Sequence, residues 1–341
     1  MNRTLLYLFV LLGLGVAIWF FVLKPEEGAI SIPDTAFSVE DTSAVGKIFM
    51  ADLGGKQITL DRGSRGWTVN GGSKARPDAI ETLLSTIHNQ RVKYPVAKSA
   101  HNNVVRELSG EHIKVEVYNR NNELMVAYYV GAPPKSDRGN YMMLVEDRKQ
   151  RPYIIQIAGL DGFLHTRYIL EENDWRDRTV FSVDPDRIQS LTVSYPVNPD
   201  SSWTINRTAE QLWELEPETL PAYNRPVNAR ATLAYLRPFR QLNAEVFMND
   251  YIGRDSVANS TPICVVSLTT TDGESQECRF HFRAVNRRTK QQMDVFGNQL
   301  DYSRDKYYAV FNNRRDFALV QDFVFGRLFV GPSYFVQPEP Q

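Results

Sequence analysis

WRDRTVFSVDPDRIQSLTVSYP, residues Trp175–Pro196, is the stretch whose reading decides the fold. Its middle, Phe181-Ser182-Val183-Asp184, echoes Phe37-Ser38-Val39-Glu40 near the start of the chain. The same order of events follows each echo. A β-rich segment leads to a lone tryptophan, Trp67 in GWTVNG and Trp213 in QLWELEP. An amphipathic helix, a hairpin and a Tyr-led strand come next, YMMLVED from Tyr141 and YYAVFNN from Tyr307, and a short aromatic-rich helix closes each half. A period of about 145 residues means duplicated domains rather than a solenoid. Trp175–Pro196 is therefore the seam between two tandem modules.

The totals agree. A chain of 341 residues suggests two domains, and 43% apolar with 23% charged residues describes an ordinary globular protein. The formal net charge is −1 and the Lys and Arg residues are scattered, so there is no basic footprint for nucleic acid. Cys264 and Cys278 fall in one expected hairpin around Asp272-Gly273, placed diagonally on one face. Either they bridge, or they are two small buried apolar residues.

Leu5–Leu23 (LLYLFVLLGLGVAIWFFVL) carries no charge over 19 residues. As a helix it covers the roughly 30 Å hydrocarbon core of a bilayer. The Ile18, Trp19 and Phe20 that follow Ala17 make a poor cleavage site, and no cysteine follows for a lipid anchor. Residues 1–24 are thus expected to be an uncleaved transmembrane signal anchor. Arg3 before the span leans the N-terminus towards the cytoplasm. The expected location is the inner membrane, single-pass, with the bulk of the chain in the periplasm.

Residues 25–36 read as a tether, 37–180 as the first module, 181–336 as the second and 337–341 as a frayed tail. In the first module, strands are expected at Lys47–Asp52, Lys56–Asp61 and Trp67–Val69. A helix begins at Pro77 with Ile80, Leu83, Leu84 and Ile87 on one face, and a second short helix is expected at Asn103–Leu108. The hairpin Ile113–Tyr118/Leu124–Val130, strands Tyr141–Glu146 and Tyr153–Ile157, and a closing helix Gly162–Ile169 complete it. The second module repeats this with longer loops, and Pro238 should kink or end part of the helix Asn228–Leu242. The expected class is α+β: two tandem modules of mainly antiparallel sheet with packed helices, after one N-terminal transmembrane helix. Trp67 and Trp213 are expected as core anchors at matching positions.

The succession of strand, tryptophan strand, helix, hairpin ending Val130-Gly131, Tyr-led strand and Trp175-Arg176-Asp177-Arg178 resembles the bacterial family called domain of unknown function 4340. The resemblance covers most of Phe37–Phe335, in two tandem copies, and WRDR with the following VSYP is its most specific part. The second module departs from it, its hairpin running into Phe282-Arg283-Ala284-Val285 without a Val-Gly ending. The resemblance implies an extracytoplasmic, membrane-anchored protein whose genes often neighbour ABC-type export or gliding-motility-like transporter components. It carries over no catalytic residue.

Chemical motifs are sparse. Gly54-Gly55-Lys56 and Gly71-Gly72-Ser73-Lys74 lack the spacing of a phosphate loop and read as turns, and Gly63-Ser64-Arg65-Gly66 is no nucleophile elbow. His88, His101, His112, His165 and His281 are dispersed without ligand spacing, and His281 is expected to face solvent. Glu171, Glu172, Asp174, Asp177, Asp184 and Asp186 crowd the seam, where Arg176, Arg178 and Arg187 suggest a salt-bridge hinge between modules. No catalytic, cofactor or metal residue is assigned. Two polar, basic loops occupy equivalent places after the hairpins, Gly131–Asn140 with Lys135 and Arg138, and Ala284–Asp294 with Arg287, Arg288 and Lys290. They are the candidate partner-binding residues, suited to an anionic head group or glycan.

Three functions follow as expectations. The first is a non-enzymatic accessory or binding subunit of an envelope transport system with a membrane partner such as a permease. The second is a scaffold that binds other envelope proteins, and the third an enzyme acting on envelope glycan or lipid.

Overall fold

The computed structural model describes residues 12–14, 32–135, 138–147, 150–160, 162–209, 212–219 and 227–336. The chain divides into two units, Met1–Asp177 and Arg178–Gln341, a boundary three residues before the one expected from the echo. Apart from helical Leu12–Leu14, the span Leu5–Leu23 lies outside the described residues, as does the tail 337–341. Among the described residues no helix is long and apolar enough to cross a membrane.

The first unit runs β1 (Val45–Asp52), β2 (Gln57–Gly63), β3 (Gly66–Val69), β4 (Ser73–Lys74), α1 (Pro77–Asn89), β5 (Arg91–Pro95), α2 (Lys98–Gly110), β6 (Ile113–Asn119), β7 (Leu124–Val130), β8 (Asn140–Leu144), β9 (Tyr153–Gln156) and α3 (Glu172–Trp175), with a 3-10 turn at Leu164–Arg167 before α3. One antiparallel sheet takes the order β4-β3-β2-β1-β6-β7-β8-β9-β5. Alternation sends Ile48 and Met50, Ile58 and Leu60, and Val115 and Val117 to one face, all fully buried. Helix α1 lays Ile80, Leu83 and Ile87 on that face. Each such side chain contributes roughly 1.5–3 kcal/mol by leaving water.

The other face is covered too. Val104 and Leu108 of α2 pack on Met143, with Tyr129 and Tyr141 alongside. The second short helix expected at Asn103–Leu108 begins earlier, at Lys98, and buries only Val104 and Leu108 of its apolar stripe. The shape of Gly46 matters here. A Cβ on it would lie 2.7 Å from Arg120 Cα and Asn119 O, at the bulge where β1 passes β6.

The second unit runs β10 (Thr179–Phe181), β11 (Ile188–Ser194), β12 (Trp203–Ala209), β13 (Leu212–Pro217), α4 (Ala229–Leu236), β14 (Leu242–Asn243), β15 (Val246–Phe247), α5 (Arg254–Asn259), β16 (Cys264–Thr270), β17 (Ser275–Ala284), β18 (Tyr302–Phe311), β19 (Asp316–Gln321) and α6 (Asp322–Phe325). Its main sheet takes the order β13-β12-β11-β16-β17-β18-β19-β15. With β15 standing for β5 and β16–β19 for β6–β9, the order equals that of the first sheet without β4. Pro238 acts as expected: α4 stops at Leu236 and continues as a 3-10 turn Arg237–Arg240. The core again faces one side, through Leu191, Val193, Ile205, Val266 and Phe280 against Tyr235, Leu236 and Phe239. The back face carries Tyr308, Val310, Phe317 and Leu319 under Val257 and Ala258 of α5.

The echo has a structural meaning. In the first unit Val39 N–H donates to Ile87 O at 3.3 Å and Val92 N–H to Asp34 O at 2.9 Å. In the second, Val183 N–H donates to Phe239 O at 2.9 Å and Ala244 N–H to Arg178 O at 2.7 Å. Each echo pins the chain entering its unit to the end of the long helix, with Phe37 and Phe181 fully buried beneath.

Candidate functional site

Both proposed partner loops join equivalent strands, β7 to β8 and β17 to β18. The first is tight. Gly131 N–H donates to Tyr141 O at 2.8 Å, and the buried Asn140 amide holds Gly131 O and the Leu164 N–H. Lys135 and Arg138 are exposed on it, and residues 136–137 lie outside the described residues.

The second loop is larger and prolongs its hairpin. Val285 N–H donates to Asp301 O at 3.0 Å, Leu300 N–H to Gln292 O at 2.9 Å, and Asp294 N–H to Asn298 O at 2.9 Å. An inner turn is fixed by Asn286, whose side chain accepts from Arg288 N–H at 2.9 Å. The apex is an Asp turn: Asp294 Oδ1 accepts from Phe296 N–H and Asn298 N–H at 2.8 and 2.9 Å. These bonds hold the Asp294 carboxyl below its usual range, the Asn298 side chain foremost among them. The frame presents Met293, Val295 and Phe296 at 59%, 84% and 86% exposure. Arg287, Arg288 and Lys290 are exposed on the flank, and Phe282 stacks on Tyr302 at 4.6 Å below them. The charges alone were legible in the sequence. The apolar apex was missed, although Val295-Phe296-Gly297-Asn298 after an aspartate was its turn signal.

The tryptophans form a matched pair of structures. Trp67 sits opposite Arg62 and Trp213 opposite Arg207 across the β2–β3 and β12–β13 ladders. Each guanidinium covers its indole face, at 5.2 Å in the first unit and 4.7 Å in the second. Arg62 also donates to Val45 O at 3.1 Å, and Arg207 to Ile188 O at 2.9 Å, carbonyls at the start of β1 and β11. Neither ring is an open platform on that face. Beside Trp67 a surface concavity of about 560 Å³ is lined by Gly63, Gly66 and Gly72 with Arg65 and Lys74. A shallower hollow of about 370 Å³ lies by Ser38, Glu40, Asp41 and Met125.

Four of the seam carboxylates, Glu171, Glu172, Asp177 and Asp184, have partners within their own units. Glu171 pairs with Lys56, Glu172 accepts from the Asn70 amide at 2.8 Å, and Asp177 pairs with Lys74 at 3.2 Å. With Arg76 N–H donating to Trp175 O at 2.7 Å, residues 171–177 strap the β2–β3–β4 edge. In the second unit Asp184 pairs with Arg240 at 3.3 Å and Arg187 with Asp272 at 2.5 Å. Among the described residues no cluster of His, Cys, Asp or Glu is arranged to hold a metal ion.

His281 does not face solvent as expected. It is buried at 2% exposure under α5, because it shares the back face of β17 with its cross-strand partner Tyr308. Its Nδ1 lies 3.2 Å from Ser260 Oγ, whose own proton goes to Val257 O at 2.7 Å. Nδ1 is therefore the donor, which is the reverse of what an activated serine needs. Among the described residues, Nε2 is buried without a partner. Burial first, then Arg279 and Arg314, push the imidazole pKa down to about 4. The cysteines are both free and buried. They lie diagonally, Cys264 opposite Phe280 and Cys278 opposite Val266. Burial pushes the Cys264 thiol up to about 12 and Cys278 higher than its ordinary value by a wide margin.

A sequence profile described as Domain of unknown function (DUF4340) matches residues 67–260, more than half of the chain. The match starts at Trp67 in β3 and ends just after α5, crossing the seam as one span, so it does not register two copies by itself. No curated protein and no solved structure matches the chain.

Proposed function

The chain belongs to the family described as Domain of unknown function (DUF4340), and from that premise we propose that it is a membrane-anchored, non-enzymatic accessory or binding subunit of a cell-envelope transport system of the ABC-type or gliding-motility-like kind. Leu5–Leu23 forms the single span in the inner membrane, and both units stand in the periplasm. The units are two copies of one module. Their shared strand order, the repeated hydrogen bonds of the Phe-Ser-Val echo and the two Arg–Trp pairs support that origin.

The observation that carries the binding role is the β17–β18 loop. A hydrogen-bonded frame that holds Val295 and Phe296 out in water serves no core of its own unit. The anchor keeps such a surface at high local concentration near its membrane partner. In-cell crosslinking followed by gentle solubilisation and pull-down tests the reading. Recovery of a permease and its ATPase with the chain is the expected result. Recovery of the chain from the soluble fraction, without them, overturns it.

A further inference from the structure

We propose that the apex of the β17–β18 loop dips into the head-group region of an anionic phospholipid bilayer, giving the second unit a contact with the membrane separate from the anchor. The inference rests on the anchored reading above and deepens it, naming the bilayer as what the apex of that same loop meets. Three observations carry it. Val295 and Phe296 stand in the turn of the loop at 84% and 86% exposure, with Met293 two residues before at 59%. An exposed apolar tip flanked by cations fits the soft boundary between head groups and acyl chains.

The charge around the tip is matched to that surface. Arg287, Arg288, Lys290 and Arg304 are exposed on the loop and its strand ends, against Asp294, Asp301 and Asp305. The Asp294 carboxylate is drawn into the turn, accepting from the backbone N–H groups of Phe296 and Asn298 and from the Asn298 amide, and it keeps its charge. Cations set beside an apolar apex are what an anionic leaflet attracts, and each lysine or arginine close to the surface adds to the pull.

The third observation is rigidity. The ladder continues to the apex through Asp294 and Asn298, and Gln292 Nε2 reaches Thr289 O at 3.3 Å to fix the inner turn. The tip is held in its exposed form before it meets anything, so little ordering is left to do on contact.

The test uses the full-length chain reconstituted in vesicles of phosphatidylcholine, with or without phosphatidylglycerol. A polarity-sensitive fluorophore is placed through Phe296→Cys, and spin-labelled lipids serve as quenchers. A control label through Glu274→Cys sits in the β16–β17 turn at the opposite end of the same sheet, also exposed. The expected result is quenching at 296 in the anionic vesicles and none at 274. Vesicle contact measured at 296 should fall about tenfold in the double variant Arg287→Glu/Arg288→Glu, and added salt should weaken it. A label placed through Val295→Cys gives the same readout should the first variant fold poorly. A chain that floats with the vesicles but is unquenched at 296, or quenched equally without phosphatidylglycerol, overturns the loop contact and leaves the anchor standing. A chain that does not float overturns both. Crosslinking from 296 to a protein rather than to lipid overturns the lipid contact and leaves the loop's role in binding a protein partner standing.

Discussion

At the scale of single residues, the second unit keeps one histidine neutral by burying it. The folded His281 pKa of about 4 lies below the ordinary 6.5. The unfolded chain therefore binds the extra proton first as pH falls. The stability tied to the neutral ring is fully present above pH 6.5 and is lost as pH drops towards 4, by up to about 3 kcal/mol. Denaturant unfolding between pH 4 and 7, compared with His281→Gln, measures this. The wild-type chain should lose more stability on acidification than the variant, and parallel profiles would refute a neutral buried ring. Arg207 works differently, its guanidinium holding Pro185 O and Ile188 O at 2.7 and 2.9 Å while covering Trp213. The tryptophans stand out in the sequence because they are rare. Their arginines do not, because pairing across a ladder depends on register, and register is not a property of either strand alone.

At the scale of elements, the β16–β17 hairpin decides the state of the cysteines. Diagonal placement across a ladder leaves Cβ atoms further apart than a disulfide accepts. Raised thiol pKa values make both side chains inert as well. Native chain should react with a thiol reagent only after unfolding, giving two labelled sites in denaturant and no shift on reduction. Fast labelling of folded protein would contradict the burial of this face. The elements missed from sequence are the short ones: β4, β5, α3, β10, β14, β15 and α5. Val246–Phe247 has only two residues and no period to detect. It exists as a strand because β19 offers an open edge, pairing Val246 with Leu319 and Phe247 with Ala318. The turn after β18 shows the opposite case, since Asn312 and Asn313 adopt φ of 52° and 55°, conformations asparagine tolerates.

At the scale of the molecule, each unit closes its own sheet and its own core. Fragments 32–177 and 178–336 should therefore each unfold cooperatively when made alone, with dispersed amide spectra. A fragment that stays unfolded would show that its core depends on the other half. Folding of each should be slow for its size, because every sheet pairs strands distant in the chain, such as β1 with β6 and β11 with β16.

The sequence by itself determined the α+β class, the antiparallel hairpins and the long helix of each unit, because these rest on periodicity and turn residues within short windows. The tertiary structure alone decided that helices cover both faces of each sheet, that β5 and β15 close the far edges, that His281 is buried and that Phe296 is not. Those outcomes depend on which distant segments meet, and an apolar residue carries the same letters whether a partner strand covers it or water does.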